Sequence, residues 1–231
     1  MRFPLILVSP ARAENVGAAA RAMKTMGFDE LRIVNSQAHL DPAALRVAHG
    51  ATEILSQATH WTSLEAALAD IDFSIATTAR SRAKLRYYAT PQQVQEVLEE
   101  KQQWMGSAAL VFGREDSGLT NEELAQVDLL TGIPMAADYP SLNLGQAVMV
   151  YCYQLSALRQ VSAQMAAEAQ AGQLVALRQR VRDLLQQLEV AGDEKLADWL
   201  QQRIGLLQQR DTAMLHRLLH DIEKNLQIKK L

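Results

Sequence analysis

The sequence predicts an α/β fold built on a parallel sheet, and three observations carry that reading. Five short apolar runs, PLILVS (4–9), ELRIVNS (30–36), DFSIATTA (72–79), AALVFG (108–113) and LLTGIPM (129–135), end in polar residues or shortly after a glycine. Such runs suit strands buried on both faces. Helical patterns over residues 15–27, 62–70, 91–101, 121–126 and 142–159 separate or follow them, and that alternation marks βαβ units. At 231 residues with 48% hydrophobic content, the chain is long enough for one α/β domain with its own core plus an appendage.

Composition narrows the function. The apolar content excludes a disordered or fibrous chain. No apolar run approaches a membrane span, and FPLILVSP lacks the length, basic flank and cleavage pattern of a secretory leader, so a soluble, cytoplasmic protein with no membrane partner is expected. The single cysteine, Cys152, excludes an internal disulfide framework and a cysteine-based zinc site, and its apolar helical surroundings suit an inert core thiol. A net charge of −3 gives no global attraction to nucleic acid. Any such binding needs a local patch.

The first strand leads into ENVGAAARAMKTMGF (14–28), where Asn15 is placed to cap a helix and Gly17 leaves room for an anion near exposed backbone N–H groups. Arg21, almost two turns on, is expected to project from the same end region and suits a phosphate. The alternative is a surface arginine on an amphipathic helix. No G-x-G-x-x-G follows any strand, so the dinucleotide-binding motif is missing.

The strand at 72–79 runs into RSRAKLRYY (80–88). Arg80, Arg82, Lys84 and Arg86 can track phosphates while Tyr87 or Tyr88 stacks on an unpaired base; the alternative is a solvated loop. The strand at 108–113 delivers Gly113, Arg114 and Glu115 to the carboxyl end of the sheet, where ligands bind. Gly118 then turns the chain, and Thr120 with Glu123 matches a capping box. In YPSLNLGQAVMVYCYQL (139–155), Ser141 and Asn143 open a long helix, one capping while the other meets a ligand. From Ala147 to Leu158 this helix is apolar on nearly every side, which predicts burial in the core or in a subunit interface.

Residues 161–173 are small and polar and read as a linker between a domain at 1–160 and a helical module at 174–231. In that module Leu174, Leu177, Val181, Leu184, Leu185 and Leu188 recur at helical spacing, with further helices around Trp199 and Leu215. His216 and His220 have metal-ligand spacing but no third ligand nearby. They read as a surface pair, and no metal is expected.

Taken together, Asn15-x-Gly17-x-x-x-Arg21, VFGREDSGL and SLNL with Ala147 resemble the motifs of the SpoU/TrmH family of RNA ribose 2′-O-methyltransferases, in the SPOUT superfamily. ARAMKTMGF, TTARSRA and FGREDSGLTNEEL are similar to the TrmJ-type branch, and the whole chain to its LasT-like relatives. The resemblance spans residues 5–160 and, less specifically, the C-terminal helices. It implies a deep trefoil knot, which general topology rules would not suggest, and a homodimer. It also implies S-adenosylmethionine held among Thr77, Thr78 and Ala79, Gly113 with its neighbours, and Ile133 through Leu144, including Ser141, Leu142 and Asn143. Arg21 is then expected to act on the substrate, with Asn15, Glu115 and Asn143 holding it and the ribose. The implied partner is structured RNA, tRNA ahead of rRNA; the alternatives are an rRNA 2′-O-methyltransferase and a catalytically silent RNA-binding relative. Gln154 stands where the branch commonly has glutamate, which puts one packing or interface contact in doubt.

Overall fold

Leu5 is buried completely and pairs in register with Leu31 on one side and Leu110 on the other; Leu110 pairs with Ile75, and Ile75 with Leu129. This apolar row runs across a parallel sheet in a computed structural model that describes residues 1–78, 88–136, 141–161, 173–190 and 192–228. The strands are β1 (Leu5–Val8), β2 (Leu31–Val34), β3 (Thr59–Trp61), β4 (Phe73–Thr77), β5 (Tyr88–Ala89), β6 (Ala108–Phe112) and β7 (Leu129–Thr131), in the spatial order β3-β2-β1-β6-β4-β7-β5. The later strands β6 and β7 therefore enter between strands already laid down: β6 between β1 and β4, β7 between β4 and β5.

Both faces are covered, which is why the sequence runs are continuously apolar rather than alternating. One face carries α1 (Ala13–Thr25), α2 (Pro42–Ala48), α3 (Thr52–Ser56), α5 (Pro91–Lys101) and α7 (Leu144–Val161); the other carries α4 (Leu64–Leu68) and α6 (Asn121–Leu124). The five expected strands are present with shorter ends. β3 and β5 were not legible, since β3 is an exposed edge without an apolar run and β5 has two residues. α2 and α3 were also missed. The Asp41 side chain caps α2 at the Ala43 N–H with Pro42 in its first turn, a start signal that the short helix after it obscured.

Three further helices follow: α8 (Gln173–Gln187) and α9 (Glu194–Gly205) meet the amino ends of β4 and β7, and α10 (Gln209–Ile228) packs on α8. The joint is ionic and buried. Arg178 donates to the Asp128 carboxylate at 2.6 Å and to the Asp72 carbonyl at 2.8 Å, while the other Asp128 oxygen accepts the Ser74 N–H and hydroxyl, both at 2.8 Å. Lys101 donates to the Leu207 carbonyl at 3.0 Å and lies over the rings of Phe73 and Trp104. Burial pushes the Lys101 ammonium down to about 8 and raises the Asp128 carboxyl. Gly205 is there because a β-carbon would lie 2.5 Å from the Asp128 side chain. Among the described residues no helix is long and apolar enough to cross a membrane.

Removing one member of a buried ion pair leaves the other charge uncompensated and costs about 3–5 kcal/mol. Urea unfolding of Arg178→Met is therefore expected to show a loss of that order, partly recovered in Arg178→Met combined with Asp128→Asn. A loss below about 1 kcal/mol in the single variant would mean that the pair does not hold the helices to the sheet.

Candidate functional site

The carboxyl ends of β4, β6 and β7 and the start of α7 enclose a cavity of about 240 Å³. Thr77 and Thr78 line it from β4, Gly113 through Leu119 from the loop after β6, Gly132, Ile133 and Met135 from the segment after β7, and Ser141, Leu142, Leu144, Ala147 and Tyr151 from α7 and its approach. The expected residues Thr77, Thr78, Gly113, Ile133, Ser141, Leu142 and Leu144 thus share one wall. Ala79 lies outside the described residues, as do Arg80, Arg82, Lys84, Arg86 and Tyr87. Sequence reasoning missed Gly132 and Tyr151. The Tyr151 hydroxyl donates to Thr131 Oγ1 at 3.0 Å, because the threonine's own proton goes to the Ala89 carbonyl at 2.8 Å. Burial raises the Tyr151 phenol, so it stays neutral.

Beside the cavity lies a polar hub made from three distant segments. The Glu115 carboxylate accepts the Ala11 N–H at 2.9 Å, the Arg12 N–H at 3.2 Å and the Asn15 side-chain amide at 2.9 Å. Asn143 donates its amide to Asn15 Oδ1 at 2.8 Å, and its own Oδ1 accepts the Gly145 N–H at 2.9 Å. Asn143 therefore caps α7 and reaches the hub at once, and it does not line the cavity. Burial alone would raise the Glu115 carboxyl, but the hydrogen bonds from Ala11, Asn15 and Arg12 outweigh it, and the group lies below its ordinary value. It is ionised at neutral pH.

The loop that carries Glu115 is fixed from within. Arg114 and Gly118 exchange backbone hydrogen bonds at 3.2 and 2.9 Å, Gly118 has φ +72°, and a β-carbon on Gly113 would lie 2.3 Å from the Gly118 backbone. Only glycine meets both demands. The Arg114 guanidinium grips both Glu123 oxygens at 2.9 and 3.0 Å, while Glu123 completes the expected capping box with Thr120. An apolar strand runs into charged residues here because Arg114 shapes the turn through Glu123 while Glu115 holds the N–H groups before α1.

Three expectations at α1 are corrected. Asn15 does not cap the helix: α1 starts at Ala13, and Asn15 sits in the first turn with its side chain spent on Glu115 and Asn143. Gly17 does not open room for an anion, because it faces α2, where a β-carbon would lie 2.3 Å from the Ala44 carbonyl oxygen. Arg21 is not held by Asn15, Glu115 and Asn143. Six residues of helix carry it roughly 240° around the axis from Asn15, and it is exposed with no side-chain partner among the described residues.

Elsewhere, Gln154 donates to Gln95 at 2.6 Å, which makes it a contact between α7 and α5. Cys152 is buried and its thiol is pushed up to about 12, so it is no nucleophile. His216 lies against Arg180, and among the described residues no cluster of His, Cys, Asp or Glu could hold a metal ion.

Replacing Glu115 by glutamine keeps the shape but turns two acceptors into one acceptor and one donor facing N–H groups. Loss of such charge-assisted bonds costs about 1.5–3 kcal/mol. Glu115→Gln should lower the melting temperature and open the loop before α1 to amide exchange; unchanged protection of Ala11, Arg12 and Asn15 would sink the hub.

Two family models match the chain: the SpoU rRNA methylase family over residues 2–153 and the C-terminal domain of the tRNA/rRNA methyltransferase LasT over residues 171–226. The chain is 67% identical over 226 residues to the uncharacterized tRNA/rRNA methyltransferase LasT of Escherichia coli strain K12, covering 98% of this chain and 99% of that protein. It is 38% identical over 151 residues to TrmJ, a tRNA (cytidine-2′-O-)-methyltransferase of Methanocaldococcus jannaschii, covering 65% of this chain and 66% of that one. The crystal structure of TrmJ from Z. mobilis ZM4 superposes with a TM-score of 0.71 at 26% identity, over 95% of this chain and 98% of the other. With its sheet order, its cavity and its three converging motifs, the chain belongs to the SpoU rRNA methylase family.

Proposed function

We propose that the protein transfers a methyl group from S-adenosylmethionine to a ribose 2′-hydroxyl of structured RNA, with tRNA the substrate. The observation that carries this reading is the meeting of Asn15, Glu115 and Asn143 beside the cavity. The cavity wall suits the cofactor's chemistry: Ile133, Leu142, Leu144 and Tyr151 offer apolar surface for an adenine ring, and Thr77 and Ser141 offer hydroxyls for its polar groups. The entry of β6 and β7 between earlier strands supports the trefoil knot. Tyr153, 69% exposed on α7, supports a homodimer built on that helix. The division into a domain at 1–160 and a module at 174–231 follows the same reading.

S-adenosylmethionine supplies a methyl group on a positively charged sulfur, already activated for transfer. The 2′-hydroxyl is a weak nucleophile, so the protein's task is orientation and relief of the charge that develops on oxygen as its proton leaves. A guanidinium cannot take that proton, so Arg21 is not the base. Glu115, although ionised, is committed to three N–H donors. The role left to Arg21 is to hold an RNA phosphate and stabilise the developing alkoxide.

Purified protein should transfer labelled methyl to bulk tRNA from cells lacking it, and nuclease digestion should place the label on ribose. Label in rRNA alone would overturn the substrate, label on a base would overturn the chemistry as well, and RNA binding without transfer would leave the silent relative. Arg21→Ala is expected to lose on the order of 10² to 10³ in rate with S-adenosylmethionine affinity unchanged; near-parental turnover would remove it from the site. Replacing Arg82, Lys84 and Arg86 together with alanine should weaken RNA binding and flatten its salt dependence through lost counterion release. A salt slope equal to the parent's would make that segment a solvated loop.

A further inference from the structure

From the sheet edge at β5, the Tyr88 side chain crosses the neighbouring strand β7 and reaches the end of β4. Its hydroxyl donates to the Thr78 carbonyl at 2.8 Å. Where the ring crosses, Gly132 has no side chain: a β-carbon there would lie 1.5 Å from the Tyr88 hydroxyl oxygen, 2.3 Å from its Cζ and 2.7 Å from the Thr78 carbonyl oxygen. A backbone ladder runs beneath, with the Thr78 N–H on the Thr131 carbonyl at 2.9 Å and the Gly132 N–H on the Ala89 carbonyl at 3.1 Å. Thr78 and Gly132 both line the cavity; Tyr88 does not.

We propose that Tyr88 is a positioning residue for S-adenosylmethionine: by clamping the Gly132 backbone and the Thr78 carbonyl from outside, it fixes the wall against which the cofactor lies. The inference rests on the functional reading above. A two-residue edge strand could be held by ring packing alone, and a phenylalanine would supply it. The hydroxyl adds one thing, the direction of the Thr78 carbonyl, and that group belongs to the cavity wall. Gly132 is the complement of this device, since any side chain there displaces the phenol. Burial raises the Tyr88 phenol, so it remains a donor at neutral pH.

The test is calorimetric binding of S-adenosylmethionine to the full chain, with melting temperature and steady-state methyl transfer measured on the same samples. Tyr88→Phe is expected to weaken cofactor binding about five- to tenfold, the effect of one neutral hydrogen bond, with melting temperature and the KM for RNA close to the parent's. Gly132→Ala, which must push the phenol away, is expected to lose at least as much affinity. Parental affinity in Tyr88→Phe, or a drop in melting temperature with affinity unchanged, makes Tyr88 a structural residue and overturns the proposal. A parent chain that does not bind S-adenosylmethionine overturns the functional reading and this inference with it.

Discussion

The Glu115 carboxylate is the constraint on which the site depends. It closes the β1–α1 loop by accepting two successive backbone N–H groups, and it fixes Asn15, which in turn fixes Asn143 and the start of α7. The loop needs such a partner. Ser9 stands at φ +47°, a left-handed conformation that a non-glycine residue holds only at a cost of about 1–3 kcal/mol when its surroundings enforce it. The Ser9 N–H is held by the Val34 carbonyl at 2.8 Å, and Arg114, next to Glu115 in the chain, contacts Ser9 Oγ at 3.3 Å. Adjacent residues of one turn thus hold the strained corner and the N–H groups beyond it.

Much of this was legible because each motif combines residue types that have few other uses together. Strands buried on both faces show as unbroken apolar runs, and the Thr120–Glu123 capping box shows as a spacing. What failed at α1 failed for a geometric reason: sequence places Asn15 and Arg21 on one helix but does not say where that helix starts, and a shift of the start to Ala13 turns Asn15 from cap to hub. Gly17 misled because a glycine that admits an anion and a glycine that admits a second helix look alike in sequence. Gly132 and Tyr88 were not legible as a pair, because nothing in the chain order reveals that a side chain from the sheet edge crosses a strand inserted later.

The two ends of the sheet are stabilised in opposite ways. At the carboxyl ends, the Glu115 carboxylate is held by backbone and amide N–H groups beside the cavity; at the amino ends, Arg178 and Asp128 form a desolvated pair that fixes where α8 and α9 sit. A buried pair of this kind adds little net stability over well-packed apolar residues. What it can add is register, because Arg178 has one carboxylate to meet and Gly205 one surface to approach. The helices α8 and α9 are in this way anchored at the amino ends of β4 and β7, the opposite end of those strands from the cavity.

The saturation of the hub bears on Arg21. Glu115 has three donors, Asn15 is engaged through both its amide nitrogen and its oxygen, and Asn143 likewise. None of these groups meets the Arg21 guanidinium, which has no side-chain partner among the described residues. Arg21 is exposed, and a guanidinium facing water is fully solvated and carries no stability argument for its position. Its counter-charge has to come from outside this set. In the proposed reaction an RNA phosphate brings one, while the hub holds the loop before α1 and the start of α7 in place beside the cavity.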